Sequence, residues 1–203
     1  GATHPAQGRT QGAFKTQETS SSWHIHGATD AGYSSEPCVD VGFLFDRTEN
    51  GGTLKMMTLL DEDTRQHLAI RVERQITATQ VLETVRWAMM TYGIPGHIRS
   101  DNGAEFIAQK VQKWLKDNEI KTLYIDPGSP WQNGYIESFH SRFRDECLDR
   151  EVLLNLREAR VVIEDWRQHY NRERPHSRLG YRSPEAFIEA EKNAILSHEV
   201  DQF

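Results

Sequence analysis

The chain predicts an α/β domain of five strands with flanking helices. Three observations carry this. Three short alternating segments follow one another across tight turns, the apolar spacing then becomes helical near Thr77, and helix and strand alternate from there to a last long helix.

Residues 1–38 are rich in Gly, Ser, Thr, Gln and His and hold no sustained apolar period, so they read as a disordered N-terminal tail. His24 and His26 alternate on one short segment and His4 lies upstream, but with no further ligand nearby this reads as solvated tail. From Val39 the pattern changes. Val41, Phe43 and Phe45 alternate as a first strand, and Asn50-Gly51-Gly52 is a turn of the hairpin kind. Leu54 to Leu60 reads as a second strand. After the Asp61-Glu62-Asp63-Thr64-Arg65 turn, Leu68, Ile70 and Val72 mark a third. Val81, Leu82, Val85 and Met89 place a helix over about Thr77–Tyr92, ended by Gly93 and Pro95. A short strand, His97–Arg99, leads to Asp101. Asn102 and Glu105 have capping-box spacing for the next helix, whose stripe is Phe106, Val111, Trp114 and Leu115 and which stops near Asn118. Lys121–Ile125 is the fifth strand. Ile136, Phe139, Phe143 and Cys147 mark a helix running to about Asp149, and a last long helix spans about Leu156–Arg172. The core domain is expected over 39–188, with 189–203 as a C-terminal tail.

Composition narrows the function classes. The formal charge of −6 argues against a simple basic nucleic-acid binder, although specific contacts depend on local patches. No apolar run approaches the roughly 20 residues of a membrane span, and no secretory signal is visible, so no membrane partner and a cytoplasmic location are expected. Cys38 and Cys147 lack disulfide-framework or metal-ligand spacing and are expected as reduced structural thiols.

The chemistry concentrates between Ser100 and Glu137. Asp101-Asn102-Gly103 follows a predicted strand, Gln132-Asn133-Gly134-Tyr135-Ile136-Glu137-Ser138-Phe139 opens a helix, and thirty-five residues lie between Asp101 and Glu137. Phosphodiester transfer needs a nucleophilic oxygen, a stabilised leaving oxygen and neutralised phosphate charge, which two divalent ions about 3.5–4 Å apart can supply. A few carboxylates suffice to hold magnesium, which keeps several waters. With Phe45-Asp46-Arg47-Thr48-Glu49-Asn50-Gly51, Tyr170-Asn171, Arg174-Pro175-His176, Leu179-Gly180-Tyr181 and Ser183-Pro184, these words make the stretch from Phe43 to about Ile188 resemble the Asp-Asp-Glu integrase core of insertion-sequence transposases, in the retroviral-integrase-like superfamily.

The resemblance implies a ribonuclease H-like fold with a mixed five-stranded sheet. It implies metal-dependent DNA cleavage and strand transfer, with Asp101 and Glu137 as catalytic and metal-binding carboxylates. It also implies Mg or Mn as cofactor, DNA (transposon ends and target) as partner, and a homo-oligomer. Asn133 and Gly134 would start the catalytic helix. Arg142, Arg144, Arg172, Arg174 and Arg178 are the candidate DNA-binding residues.

One position departs from the pattern. The family's first Asp directly precedes the phenylalanine corresponding to Phe43, and here that position is Gly42. Asp40 and Asp46 share its strand face and are weak substitutes, because neighbouring same-face positions lie roughly 7 Å apart. One weakly held ion is therefore expected in place of two. Upstream of Phe43 the resemblance stops, and the family's helix-turn-helix for transposon ends has no counterpart. The expected function is a transposase core with impaired strand transfer; the alternative is a catalytically inactive DNA-binding or oligomerising remnant. A ribonuclease H-like nuclease fits the same fold, but the C-terminal signature favours transposase.

Overall fold

The structure is a computed structural model that describes residues 37–100, 106, 108–125 and 134–200. The predicted tail before residue 37 and the Asn102–Glu105 cap lie outside the described residues. β1 (Cys38–Arg47), β2 (Thr53–Asp61) and β3 (His67–Glu73) form an antiparallel meander, and β4 (His97–Ser100) and β5 (Lys121–Tyr124) add in parallel to β1. The sheet order is β3-β2-β1-β4-β5.

Local chemistry sets the meander. Gly51 takes a left-handed φ of 78°, and Thr48 closes the first turn by donating its N–H to Gly52 O at 2.8 Å. In the second turn, Asp61 Oδ1 accepts from the N–H groups of Asp63 at 2.9 Å and Thr64 at 3.3 Å, while Arg65 adopts φ 60°.

Strand alternation then divides the core. Val39, Val41, Met57 and Leu59 face α1 (Ala78–Tyr92) and α2 (Gln109–Asp117), with Val81, Val85, Val111, Leu115 and Phe106 packed over them. Leu44, Leu54, Met56 and Leu60 face α3 (Gly134–Phe143) and α4 (Leu156–Arg172), under Ile136, Phe139, Phe143 and Ile163. Asp40, Gly42 and Asp46 share this second face by the same alternation. A bulge between Leu59 and Leu60 shifts the β3 register, which lets consecutive Leu68 and Ala69 both serve the first core.

Thr77 and Gln80 form a complete capping box for α1, and Gly93 ends it at φ 107°. Two details differ from the sequence expectation. The helix at Gly134 passes at Arg144 into a π-helical turn (Arg144–Leu148), which turns adjacent Cys147 and Leu148 both into the core. The segment expected as tail from 189 is helical: α5 spans Pro184–Val200, with Ser183 Oγ accepting from the Ala186 N–H at 3.4 Å. Proline at its first position and serine before it are the signals that mark its start.

Asn171, in the last turn of α4, accepts from the His67 N–H at 2.8 Å and donates to His67 O at 2.9 Å, fastening the start of β3 to the helix. Arg167 Nη1 also donates to that carbonyl, at 2.7 Å. Asn171→Ala would therefore orphan mainly the buried N–H. It is expected to lower unfolding free energy by about 2 kcal/mol in chemical denaturation; a loss below about 0.5 kcal/mol would show the fastening to be dispensable.

Candidate functional site

Three elements meet at one corner of the sheet. β4 ends at Ser100, whose Cα partner in β1 is Val41, one residue before Gly42. Asp101, the next residue, lies outside the described residues, as do Asn102, Gly103 and Asn133. α3 starts at Gly134 and crosses the face that carries Gly42. Glu137 is in its first turn, where the helix dipole favours a carboxylate, and is exposed.

Directly over Gly42 the helix presents Ile136 and His140. A Cβ at position 42 would lie 2.6 Å from His140 Cε1, 2.7 Å from Ile136 Cγ1 and 3.0 Å from His140 Nε2. Thr58, the β2 partner of Gly42, is fully buried; its Oγ1 lies 2.8 Å from His140 Nε2 and donates to Gly42 O at 3.2 Å. Both bonds form together when His140 carries its proton on Nε2. Burial, and secondarily the Arg144 charge, pushes the His140 pKa down to about 4, so the ring is neutral at pH 7.

The two predicted substitutes are engaged elsewhere. Asp40 is fully buried. Arg99 Nε lies 3.3 Å from its Oδ1 but donates at 2.6 Å to Glu62 Oε1, which also accepts from Cys38 Sγ at 3.1 Å. Burial, then the adjacent Glu62 carboxylate, pushes Asp40 up to about 9, so it keeps its proton at neutral pH. Glu62 is partly buried, but its interactions with Asp40, Arg99 and Cys38 outweigh that cost and hold its pKa below the usual range. Cys38 and Cys147 are free and buried, and burial raises both thiols, as expected for structural cysteines. Asp46 lies beyond Gly42, 3.5 Å from Arg144 Nη1, and accepts from the Arg47 N–H at 2.7 Å.

The candidate DNA-binding arginines divide by their partners. Arg144 donates to Phe45 O at 3.0 Å and faces Asp46 and Asp149, tying the π-helical turn to β1. Arg174 makes a forked pair with Glu146 at 2.8–3.1 Å and is mostly buried. Arg172 reaches Gln168 at 3.4 Å and Glu185 at 3.6 Å. Arg142 and Arg178 are exposed. Arg142 shares a flank of α3 with Tyr135, whose ring lies 3.8 Å under the Arg65 guanidinium. Burial, then the Arg174, Arg142 and Arg65 charges, pushes His176 down to about 4.

Sequence reasoning missed His140, Thr58, Glu62, Arg99 and Arg65. His140 alone carries a local signal, three positions after Glu137 and so beside it on the helix. Among the described residues no group of three His, Cys, Asp or Glu side chains could hold a metal ion, and no helix is long and apolar enough to cross a membrane.

A meander extended by two parallel strands, with a helix carrying an acid across its middle strand, defines a ribonuclease H-like domain. Two family models, each described as an integrase core domain, match residues 38–130 and 118–184. The chain belongs to the integrase core domain family, in its insertion-sequence transposase branch. It is 41% identical to an insertion element IS476 protein of Xanthomonas euvesicatoria over 71% of this chain and 42% of that protein. It is 38% identical to an insertion element IS407 protein of Burkholderia multivorans over 72% of this chain and 53% of that one. The chain thus spans about half the length of these relatives. In fold it is similar to the catalytic core of BIV integrase (TM-score 0.60, 18% identity, 79% of this chain and 99% of that one). It is also similar to the HTLV-2 integrase catalytic core solved with magnesium in a dimeric form (TM-score 0.52, 14% identity, 74% and 94%).

Proposed function

We propose that this chain is the core module of an insertion-sequence transposase, shaped for DNA strand cleavage and joining, with its chemical step impaired by glycine at position 42. The observation that supports this most directly is the convergence of β1, the end of β4 and the first turn of α3 on one corner, with Glu137 exposed at its rim. In such a core, water and then a DNA 3′-hydroxyl attack phosphorus in line, and no bond to the protein forms. Bound magnesium or manganese supplies the charge neutralisation in this chemistry.

The described residues do not fit a pair of ions. Position 42 has no donor, Asp40 holds its proton and Asp46 faces Arg144, which leaves Glu137, among the described residues, as the exposed carboxylate at the corner. A single weakly held ion, shared by Glu137 and Asp101, is the state this reading assigns. The second reading, a DNA-binding or self-associating remnant without chemistry, is favoured by the packing of His140 and Ile136 over Gly42.

Binding to a labelled duplex bearing the element's terminal repeats, measured across a salt series, tests the DNA partner. The affinity is expected to fall with salt as phosphate contacts release counterions, and Arg142→Gln or Arg178→Gln should each lower the slope by about one. Arg174→Gln should instead weaken folding, because it strips Glu146 of its partner. No salt-dependent binding at any concentration would remove DNA as the partner of this module.

A further inference from the structure

We propose that the His140 imidazole occupies the place of a first-strand carboxylate, and that Gly42 and His140 are a matched pair closing this corner to such a ligand. The inference rests on the integrase-core reading, and it concerns which residue besides position 42 decides whether the site can be completed. Glycine is not required at 42 by its backbone: among the described residues the left-handed glycines are Gly51, Gly93 and Gly180, while Gly42 lies within regular β1. It is required by space. Real Cβ contacts essentially never fall below 3.0 Å, and the three nearest atoms, all on the His140 and Ile136 side chains, lie at 2.6, 2.7 and 3.0 Å.

The ring is also anchored. Moving it aside breaks the 2.8 Å bond to Thr58, a hydroxyl buried on the β2 strand opposite. Ile136, one helical turn earlier, closes the other side at 2.7 Å. A side chain at 42 therefore requires the His140 ring and the Ile136 side chain to shift, at the cost of the bond to Thr58, or α3 to lift from β1. Restoring aspartate there without trimming His140 gives a carboxylate wedged under a helix and not a ligand beside Glu137.

The test is a cycle of Gly42→Ala and Gly42→Asp, each made in the parent chain and with His140→Ala. The alanine variant isolates the steric effect without burying a charge. It is expected to lower the melting temperature by about 3–10 °C in the parent and by less than about 2 °C beside His140→Ala. Gly42→Asp with His140→Ala is expected to bind manganese at least tenfold more tightly, by calorimetry, than Gly42→Asp alone. A Gly42→Ala variant as stable as the parent, or strictly additive effects of the two changes, would overturn the matched pair. Coupling in melting temperature without a gain in manganese affinity upholds the pair and counts against the metal-dependent reading, so the two failures are told apart.

Discussion

Acidification from pH 6.5 to pH 4 is expected to destabilise the fold, with His140 and His176 together withdrawing about 4–5 kcal/mol. Three histidines drive it. His140 and His176 have folded pKa values of about 4 against 6.5 when unfolded, and complete burial beside Phe139 holds His67 well below the ordinary imidazole range. Groups depressed in the folded state contribute stability that is present above the unfolded value and lost as pH falls toward the folded one. His140 contributes about 3 kcal/mol by its shift; His176, only about half buried, is discounted to roughly half of that. Asp40 acts in the opposite sense. Its folded pKa of about 9 lies above the ordinary 3.8, so its contribution is greatest in acid and declines through neutrality to pH 9. Stability should therefore peak near pH 6–7 and decline on the alkaline side. Denaturant melts from pH 4 to 9 measure this curve. A flat profile below pH 6.5 would mean that the imidazoles are not held neutral, and His140→Ala should flatten the acid limb in part.

Strand transfer by the purified chain is expected to fall at least roughly a thousandfold below that of a core with three carboxylates, in either magnesium or manganese. Loss of several kcal/mol of charge stabilisation at the reacting phosphate produces a deficit of this size, at about 1.4 kcal/mol per tenfold. Single-turnover assays on a terminal-repeat duplex, at protein concentrations that saturate binding, separate chemistry from affinity. Transfer comparable to an intact core would show that another acid completes the site and would remove the assignment of impairment to Gly42.

The elements were legible because their causes are local. Alternation in β1, the Gly51 turn, the Asp61 turn and the stripe of α1 each arise from a few neighbouring residues, and the structure places their boundaries within a residue or two. The π-helical turn was not legible, since an amphipathic stripe reads the same until packing brings both Cys147 and Leu148 inward. α5 was missed although Ser183 and Pro184 mark its start.

The site divides in the same way. By itself the sequence determined the family words, the exposed Glu137 in the first turn of a helix, and the absence of an acid before Phe43. It also determined that Asp40, Gly42 and Asp46 share a face, because strand alternation is a backbone property. Only the tertiary structure decided what that face meets. His140 lies 82 positions from Thr58 in the chain yet bonds to it, and that contact turns Gly42 from a missing ligand into a packing position. Asp40 keeps its proton because the fold buries it beside Glu62, and Arg174 is committed because the fold sets Glu146 against it. Burial and pairing depend on which distant segments the sheet and helices bring together, so no local pattern contains them.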